Sequence, residues 1–280
     1  MDGALMGFGT LAHTVGCLPL AALTDKLRNR PIDFVQLALS KAIADIDTSL
    51  GRLSPGLASH IGEQFDRAGL RIGVLGCYIN PVNPDAQQRR YEIDRFKEHL
   101  RYARDFGTSI VATETGDLTT YRGQDPERFE EIGWNICRQT FEELAEEAER
   151  WGVTIGLEPV FTHTLSSTEK MTRILNEIPS STLGVVFDPV NLLPPTEVDR
   201  QEAFLDHALA TFGSRIVLAH LKDFVVEGDK LTAVRSGTGR FVTKTFLEKL
   251  HAVKPWVDVS LEQLDDTTLD STVQYVRALR

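Results

Sequence analysis

Eight short apolar runs, separated by longer segments with helical periodicity, constrain the fold of this chain more than any other feature. The runs are rich in Val, Ile and Leu, which is typical of strands buried on both faces of a parallel sheet. They span residues 6–10, 34–39, 72–78, 110–114, 154–158, 184–188, 216–220 and 257–262. The regular alternation of strand and helix predicts an α/β fold built on a parallel sheet.

Several segments between the runs carry apolar residues at helical spacing, so they predict amphipathic helices. These stripes are Ile93, Phe96, Leu100 and Ala103; Ile132, Ile136, Thr140 and Leu144; Phe246, Leu247, Leu250 and Val253; and Leu269, Val273, Val276 and Leu279. We interpret them as packing faces. Thr243 is the expected N-cap of the helix that contains Phe246.

A parallel sheet of eight strands can stay open or close into a barrel. Open nucleotide-binding sheets usually carry a glycine fingerprint after the first strand, but Gly7-Phe8-Gly9-Thr10 is followed by no third spaced glycine. The length of 280 residues suits one eightfold barrel, which typically needs about 250. Without a linker or charge block to mark a second domain, we predict a single (β/α)₈ TIM barrel over residues 1–280.

The formal net charge of −10 disfavours binding to nucleic acid, although a local basic pocket could still hold an anionic small substrate. No secretory signal and no uninterrupted apolar stretch of membrane-spanning length is present, so a cytoplasmic protein without membrane contact is expected. Cys17, Cys77 and Cys137 lack disulfide or metal spacing and are expected to be buried. Whether the chain forms a homo-oligomer is left open.

Four of the predicted strands end in a side chain that can bind a metal. Glu158, Asp188, His220 and Glu262 are separated by 30, 32 and 42 residues, the length of one barrel unit each. Any one of them could merely cap a turn or face solvent, but matching strand ends converge at the C-terminal mouth of a barrel. Three carboxylates and one imidazole suit Mn²⁺, Co²⁺ or Mg²⁺, with Zn²⁺ as a further candidate.

Five motifs carry a resemblance to a known family. They are Leu157-Glu158-Pro159, Phe187-Asp188-Pro189-Val190-Asn191, His220-Leu221-Lys222-Asp223, Gly237-Thr238-Gly239 and Leu261-Glu262. Across nearly its whole length the chain resembles the xylose-isomerase-like barrels, and in particular their sugar-phosphate isomerase/epimerase group. This resemblance implies one divalent ion, commonly Mn²⁺, on the four ligands. It also implies that Glu158 and Glu262 are the catalytic acid/base pair on opposite faces of the sugar.

One position departs from the family pattern. Many members carry His three residues after the metal-binding Asp, whereas this chain has Asn191. An amide can donate a hydrogen bond to substrate but cannot carry charge or shuttle a proton. The identity of the sugar therefore cannot be borrowed from the best-known epimerases.

Three outcomes of proton abstraction beside a carbonyl stay open. Return of the proton to the other face epimerises a ketose or sugar phosphate, and return to the neighbouring carbon isomerises it. Loss of a β-hydroxyl would make the chain a sugar or cyclitol dehydratase. The less favoured alternatives are an AP endonuclease, which would need additional His ligands, and a non-catalytic sugar-binding barrel.

Other residues near the strand ends are candidate substrate contacts. The loop that contains Arg235, Gly237, Gly239 and Arg240 follows the seventh strand, where barrels often bind phosphate; an ordinary turn is the alternative. Further candidates are Asn191, Lys222, His163 and Glu114. Lys222 is expected to pair with Asp223, either behind the metal ligands or as a plain surface ion pair.

Overall fold

A computed structural model of the protein describes residues 6–117 and 126–279. Its strands are β1 (Phe8–Leu11), β2 (Phe34–Leu37), β3 (Arg71–Gly76), β4 (Ile110–Glu114), β5 (Thr154–Glu158), β6 (Leu183–Phe187), β7 (Ile216–Leu221), β8 (Asp223–Glu227), β9 (Lys230–Val234) and β10 (Val259–Leu261). Eight of them close into a parallel barrel in the order β1-β10-β7-β6-β5-β4-β3-β2, while β8 and β9 form an antiparallel hairpin. The predicted closed barrel is confirmed.

Ten α-helices are described around the barrel. They are α1 (Leu20–Leu27), α2 (Leu39–Ala42), α3 (Pro55–Arg67), α4 (Ala86–Tyr102), α5 (Pro126–Trp151), α6 (Thr168–Glu177), α7 (Pro189–Leu192), α8 (Gln201–Phe212), α9 (Thr243–Val253) and α10 (Leu269–Arg277). Side chains cap several of them at the start, as Ser54 does for α3 and Ser167 for α6. Of these described helices, none has both the length and the apolar character needed to cross a membrane.

Three local expectations from the sequence are wrong. Thr243 does not cap α9, because the helix already includes it and its hydroxyl donates to the carbonyl of Phe241. Ile132 and Val253 are exposed, since their helices turn these positions away from the barrel. Cys17 is also exposed, whereas Cys77 and Cys137 are buried as expected.

The interior of the barrel is filled by one small apolar layer. Side chains alternate between the two faces of a strand, so every second residue points inward. The inward layer consists of Phe34, Val74, Ala112, Val186 and Leu218, which pack together and are buried. The next inward residue on each strand therefore lies one layer closer to the C-terminal mouth.

Phe34 closes the opposite end of the barrel. A side chain at Gly9 or Gly73 would stand within 2.7 Å of the Phe34 ring, so only glycine leaves room for it there. The guanidinium of Arg71 covers the ring at 4.9 Å and also pairs with Asp258 at 2.6 Å. The barrel floor is consequently filled by side chains.

Outward-facing residues of the strands pack against the helices and fix the orientation of the strand ends. Phe187 of β6 makes edge-to-face contacts with Phe212 of α8 and Phe246 of α9, at centroid separations of 5.3 and 5.8 Å. Because Phe187 is held outward, the next residue, Asp188, points into the barrel mouth.

Candidate metal centre at the barrel mouth

The layer above the apolar interior is made of polar side chains. Asp188 lies two residues beyond Val186, and His220 two residues beyond Leu218, so both inherit the inward direction. Glu158 ends β5, and Glu262 directly follows β10. The four residues predicted from the sequence to share one site are therefore brought together, and we call them the metal cluster.

Distances within the metal cluster are short. One ligand atom each from Glu158, Asp188 and His220 lies within 4.8 Å of the other two, and all three residues are buried. His220 Nδ1 is 3.3 Å from Glu158 Oε1, 4.0 Å from Asp188 Oδ2 and 3.2 Å from Glu262 Oε1. An oxygen-rich donor set with one imidazole nitrogen in this arrangement fits a divalent ion, which Glu158, Asp188 and His220 would hold together with Glu262.

Asp188 serves two purposes at once. Its Oδ1 accepts hydrogen bonds from the amides of Val190 and Asn191 and so caps the short helix α7. The cap fixes the carboxylate so that Oδ2 is directed at Lys222, 2.7 Å away. Asp188 can therefore cap the turn with one carboxylate oxygen and take part in the metal cluster with the other.

Lys222 lies inside the cluster and not behind it. Its Nζ is 2.7 Å from Asp188 Oδ2 and 2.8 Å from Glu262 Oε2, and the residue is only 4% exposed. The expected pair with Asp223 is wrong, because consecutive residues of an extended strand point in opposite directions. Lys222 shares the inward direction of His220, whereas Asp223 points away from it.

The charges of the site are balanced internally. Burial by itself would raise the pKa of Glu158, but His220, Lys222 and the Asn191 amide hold that pKa at about 2. Burial would lower the pKa of His220, yet Glu158, Glu262 and Asp188 raise it to about 9. A metal ion on His220 would need the neutral imidazole, so binding would displace a proton from this ring.

Gln36 is a site residue that the sequence reasoning missed. Its Oε1 accepts from His220 Nε2 at 2.9 Å, and its amide nitrogen donates to the Tyr78 hydroxyl at 2.8 Å. With its Nε2–H held in this way, His220 turns Nδ1 toward the carboxylates. The signal was present in the sequence, because Gln36 lies two residues beyond Phe34 and must share its inward direction.

Two further predicted contacts lie at the edge of the metal cluster. Asn191 Nδ2 donates to Glu158 Oε1 at 2.8 Å. The amide that replaces the family's usual His therefore orients a predicted catalytic carboxylate. His163 is buried, with Nε2 3.8 Å from Glu114 Oε2. Burial, followed by the charges of Glu158 and Glu262, raises the pKa of Glu114 to about 7.

The Gly237–Gly239 turn does not offer its amides to a ligand. The amides of Gly237 and Gly239 both donate to Asp223 Oδ2, at 3.1 and 2.9 Å. Phe241 N donates to the other oxygen of the same carboxylate. The expected phosphate cradle is thus filled by an internal carboxylate, and the ordinary turn is the better reading of these two glycines.

Arg240 of the same loop also differs from the expectation, whereas only a backbone contact is described for Arg235. Arg240 pairs with Asp199 at 3.0 Å on the surface. The backbone carbonyl of Arg235 closes the turn by accepting from Thr238. Neither contact involves the metal cluster, so the loop is tied to its own hairpin and to the helical layer.

Comparisons with known proteins agree with this architecture. A sequence model described as the xylose isomerase-like TIM barrel matches residues 25–280. No match to the chain was found among curated protein sequences.

Three solved structures illustrate the likeness. A D-tagatose 3-epimerase-like protein aligns with a TM-score of 0.78 and 19% identity over 98% of this chain and 97% of its own. D-psicose 3-epimerase from Clostridium cellulolyticum H10 aligns with 0.74 and 15% over 98% and 99%. The IolI protein, solved with a zinc atom, aligns with 0.73 and 18% over 98% and 96%. At these identities the structural likeness establishes the fold.

Proposed function

The chain belongs to the xylose isomerase-like TIM barrel family, and we propose that it is a metal-dependent isomerase or epimerase acting on a ketose or sugar phosphate. The observation that carries this proposal is the convergence of Glu158, Asp188 and His220 within 4.8 Å of one another, with Glu262 beside His220. Simple sugar binding would not require three carboxylates around one buried imidazole, a set that supplies both metal-binding donors and acid/base groups.

The proposed cofactor is one divalent ion, with Mn²⁺ as the first choice. When bound, such an ion supplies a Lewis acid for the substrate carbonyl. Support comes from the donor set of three carboxylates and one imidazole nitrogen, and from the zinc atom in the related IolI structure. Co²⁺, Mg²⁺ and Zn²⁺ are compatible with the same donors.

Glu158 and Glu262 are the proposed acid/base pair. They extend from β5 and β10, which are three strands apart around the barrel, so a sugar lying across the mouth is flanked by both carboxylates. One carboxylate takes the proton next to the carbonyl, and the other returns a proton to the opposite face or the neighbouring carbon. Asn191 keeps the Glu158 carboxylate in place through the 2.8 Å hydrogen bond.

Lys222 gives a specific reason to retain dehydration as a second candidate. Its ammonium group is 2.8 Å from Glu262 Oε2, so a proton donor stands beside one of the two carboxylates. Dehydration needs such a donor for the departing β-hydroxyl, a step that epimerisation lacks. Burial would lower the pKa of Lys222, but Asp188 and Glu262 outweigh burial, raise this pKa and so make the ammonium a weaker acid. The same ammonium could equally stabilise negative charge on a substrate oxygen.

The test is solvent deuterium exchange. The protein is incubated with Mn²⁺ in D₂O together with a panel of pentuloses, hexuloses and their phosphates, and products are followed by NMR. An epimerase or isomerase incorporates deuterium next to the carbonyl and forms a new sugar, whereas a dehydratase releases water and leaves a deoxy product. Absence of both exchange and turnover across the panel would contradict the proposal.

A further inference from the structure

A cavity of about 460 Å³ lies beside the metal cluster, between the chain that follows β2 and helix α4. Its lining includes Lys41, Gly76, Tyr78, Arg95 and His99. The four residues of the metal cluster are not part of this lining. We call this compartment the cationic cavity, because Lys41 and Arg95 are in its lining.

Tyr78 connects the cationic cavity to the metal cluster. Its ring forms part of the cavity wall, and its hydroxyl accepts from Gln36, which in turn accepts from His220 Nε2. The cavity wall is thus two hydrogen bonds away from a predicted metal ligand. A sugar whose carbonyl end lies at His220 and whose chain runs toward β2 and β3 would place its far end here.

In the described part of the chain, neither positive charge of the cavity is held in an ion pair, although Lys41 acts on the charge of Glu114 from a greater distance. Lys41 Nζ lies 4.4 Å over the Tyr78 ring. One amino group of Arg95 donates to the Tyr78 carbonyl at 2.6 Å, which leaves its other N–H groups for a ligand. Among the side chains that the structure describes, no carboxylate lies within 4.0 Å of either cation.

Two other lining residues do not cancel this charge. Asp47 accepts from Ser49 and pairs with Arg52 at 3.2 Å, so its carboxylate is already engaged. Burial lowers the pKa of His99 to about 4, so that its ring is neutral at physiological pH. A cavity with two available cations is notable in a chain whose formal net charge is −10.

We propose that the cationic cavity binds an oxyanion, a phosphate or a carboxylate, at the far end of the substrate. This inference rests on the proposed function, and it assigns the substrate to the acidic sugars. Arg95 offers planar N–H donors and Lys41 a mobile point charge, a combination that suits such a group. The alternative anion site at Gly237 and Gly239 is filled by Asp223.

The experiment measures oxyanion binding without relying on catalysis. The full-length protein is titrated with inorganic phosphate, and separately with acetate, by isothermal titration calorimetry. Lys41→Met should weaken binding about tenfold, the typical value of one charge-assisted contact. Lys41→Arg should retain binding, because it keeps the charge. Arg240→Met, which removes a surface cation outside the cavity, is the matched control and should bind like the wild type.

The outcomes separate this inference from the proposed function. Equal binding by wild type and Lys41→Met, equal losses in Lys41→Met and Arg240→Met, or no binding of either anion would each overturn the cavity assignment. Phosphate bound at a metal ion would also be insensitive to Lys41→Met and would count against it. Deuterium exchange into a neutral ketose without any oxyanion binding would leave the proposed function intact. Lys41-dependent phosphate binding without exchange into any ketose would retain the cavity and reject the function.

Discussion

The two sides of the barrel mouth handle charge in opposite ways. On the side of β5, β6, β7 and β10, the carboxylates of the metal cluster face His220 and Lys222 at 2.7–4.0 Å. On the side of β2 and β3, Lys41 and Arg95 line a cavity and have no carboxylate within 4.0 Å among the described side chains. On the first side the charged groups are paired with one another. On the second side the two cations are unpaired and are available to a ligand.

This contrast suggests that catalysis and substrate recognition are performed by different sides of the barrel mouth. A site that must hold an ion and move protons needs side chains fixed before the substrate arrives. A site that recognises the far end of a substrate needs charge that is not already paired. Gln36 joins the two sides, because it contacts His220 on one and Tyr78 on the other.

The largest expected effect is on metal content. Asp188→Asn and His220→Ala each remove one proposed ligand, and we expect bound metal to fall from about one ion per chain to a trace, with activity lost in parallel. Elemental analysis of the purified variants measures this, and Arg240→Met serves as the control. Full metal occupancy in either variant would mean that the replaced residue is not a ligand.

The next effect concerns the acid/base pair. Glu158→Gln and Glu262→Gln keep the size of the side chain but remove the proposed base, and each should lower the rate about 10²–10⁴-fold. In a two-base epimerase, one variant should lose solvent exchange into the first epimer, while the other should exchange without epimerising. Metal content must be measured on the same sample. Normal turnover by both metal-loaded variants would refute the mechanism.

Gln36 offers a smaller but more specific test of the link between the two sides. Gln36→Leu removes the acceptor for His220 Nε2, and we expect metal affinity to fall about 10–100-fold. Gln36→Glu retains an acceptor and should preserve most of that affinity. Tyr78→Phe removes only the more distant hydroxyl and should change affinity little. Equal metal affinity in Gln36→Leu and wild type, measured by calorimetry, would show that His220 is oriented by other contacts.

The smallest effect is on stability near the boundary between the two sides. The pKa of Glu114, raised to about 7 from its ordinary 4.5, shows that burial and the neighbouring carboxylates disfavour its charged form. The protein should therefore lose stability as the pH rises between these two values. The Glu114 side chain is 46% exposed, so solvent screens much of this effect. Glu114→Gln should therefore raise Tm by no more than about 2 °C at pH 8.5 and leave it unchanged at pH 4.5. A gain of the same size at both pH values would exclude this electrostatic cause.

The sequence was sufficient for the barrel and for the four members of the metal cluster, for one physical reason. Strand ends that recur once per barrel unit must meet at one mouth, and alternation carries Asp188 and His220 inward from Val186 and Leu218. The same alternation predicts that Gln36, two residues beyond Phe34, also points inward. Its signal in the sequence is weaker than that of the metal cluster, because an amide carries no charge and cannot titrate.

Other features depend on contacts that periodicity does not encode. The amides of Gly237 and Gly239 meet Asp223 only because the β8–β9 hairpin folds back to that carboxylate. Lys41 and Arg95 come from segments far apart in the chain and meet only when α4 packs beside the chain following β2. Which charged groups lie side by side across such distances is decided by the tertiary structure.

The filled floor of the barrel has a consequence for how small molecules reach and leave the barrel mouth. Phe34, covered by Arg71 and flanked by Gly9 and Gly73, leaves no through-channel along the barrel axis in the described residues. Molecules that enter and molecules that leave must then both use the C-terminal mouth of the barrel. Under the proposed function, the substrate and product sugars differ at one carbon and are close in free energy, so they would compete for this one entrance. Accumulating product should then slow the forward reaction well before equilibrium.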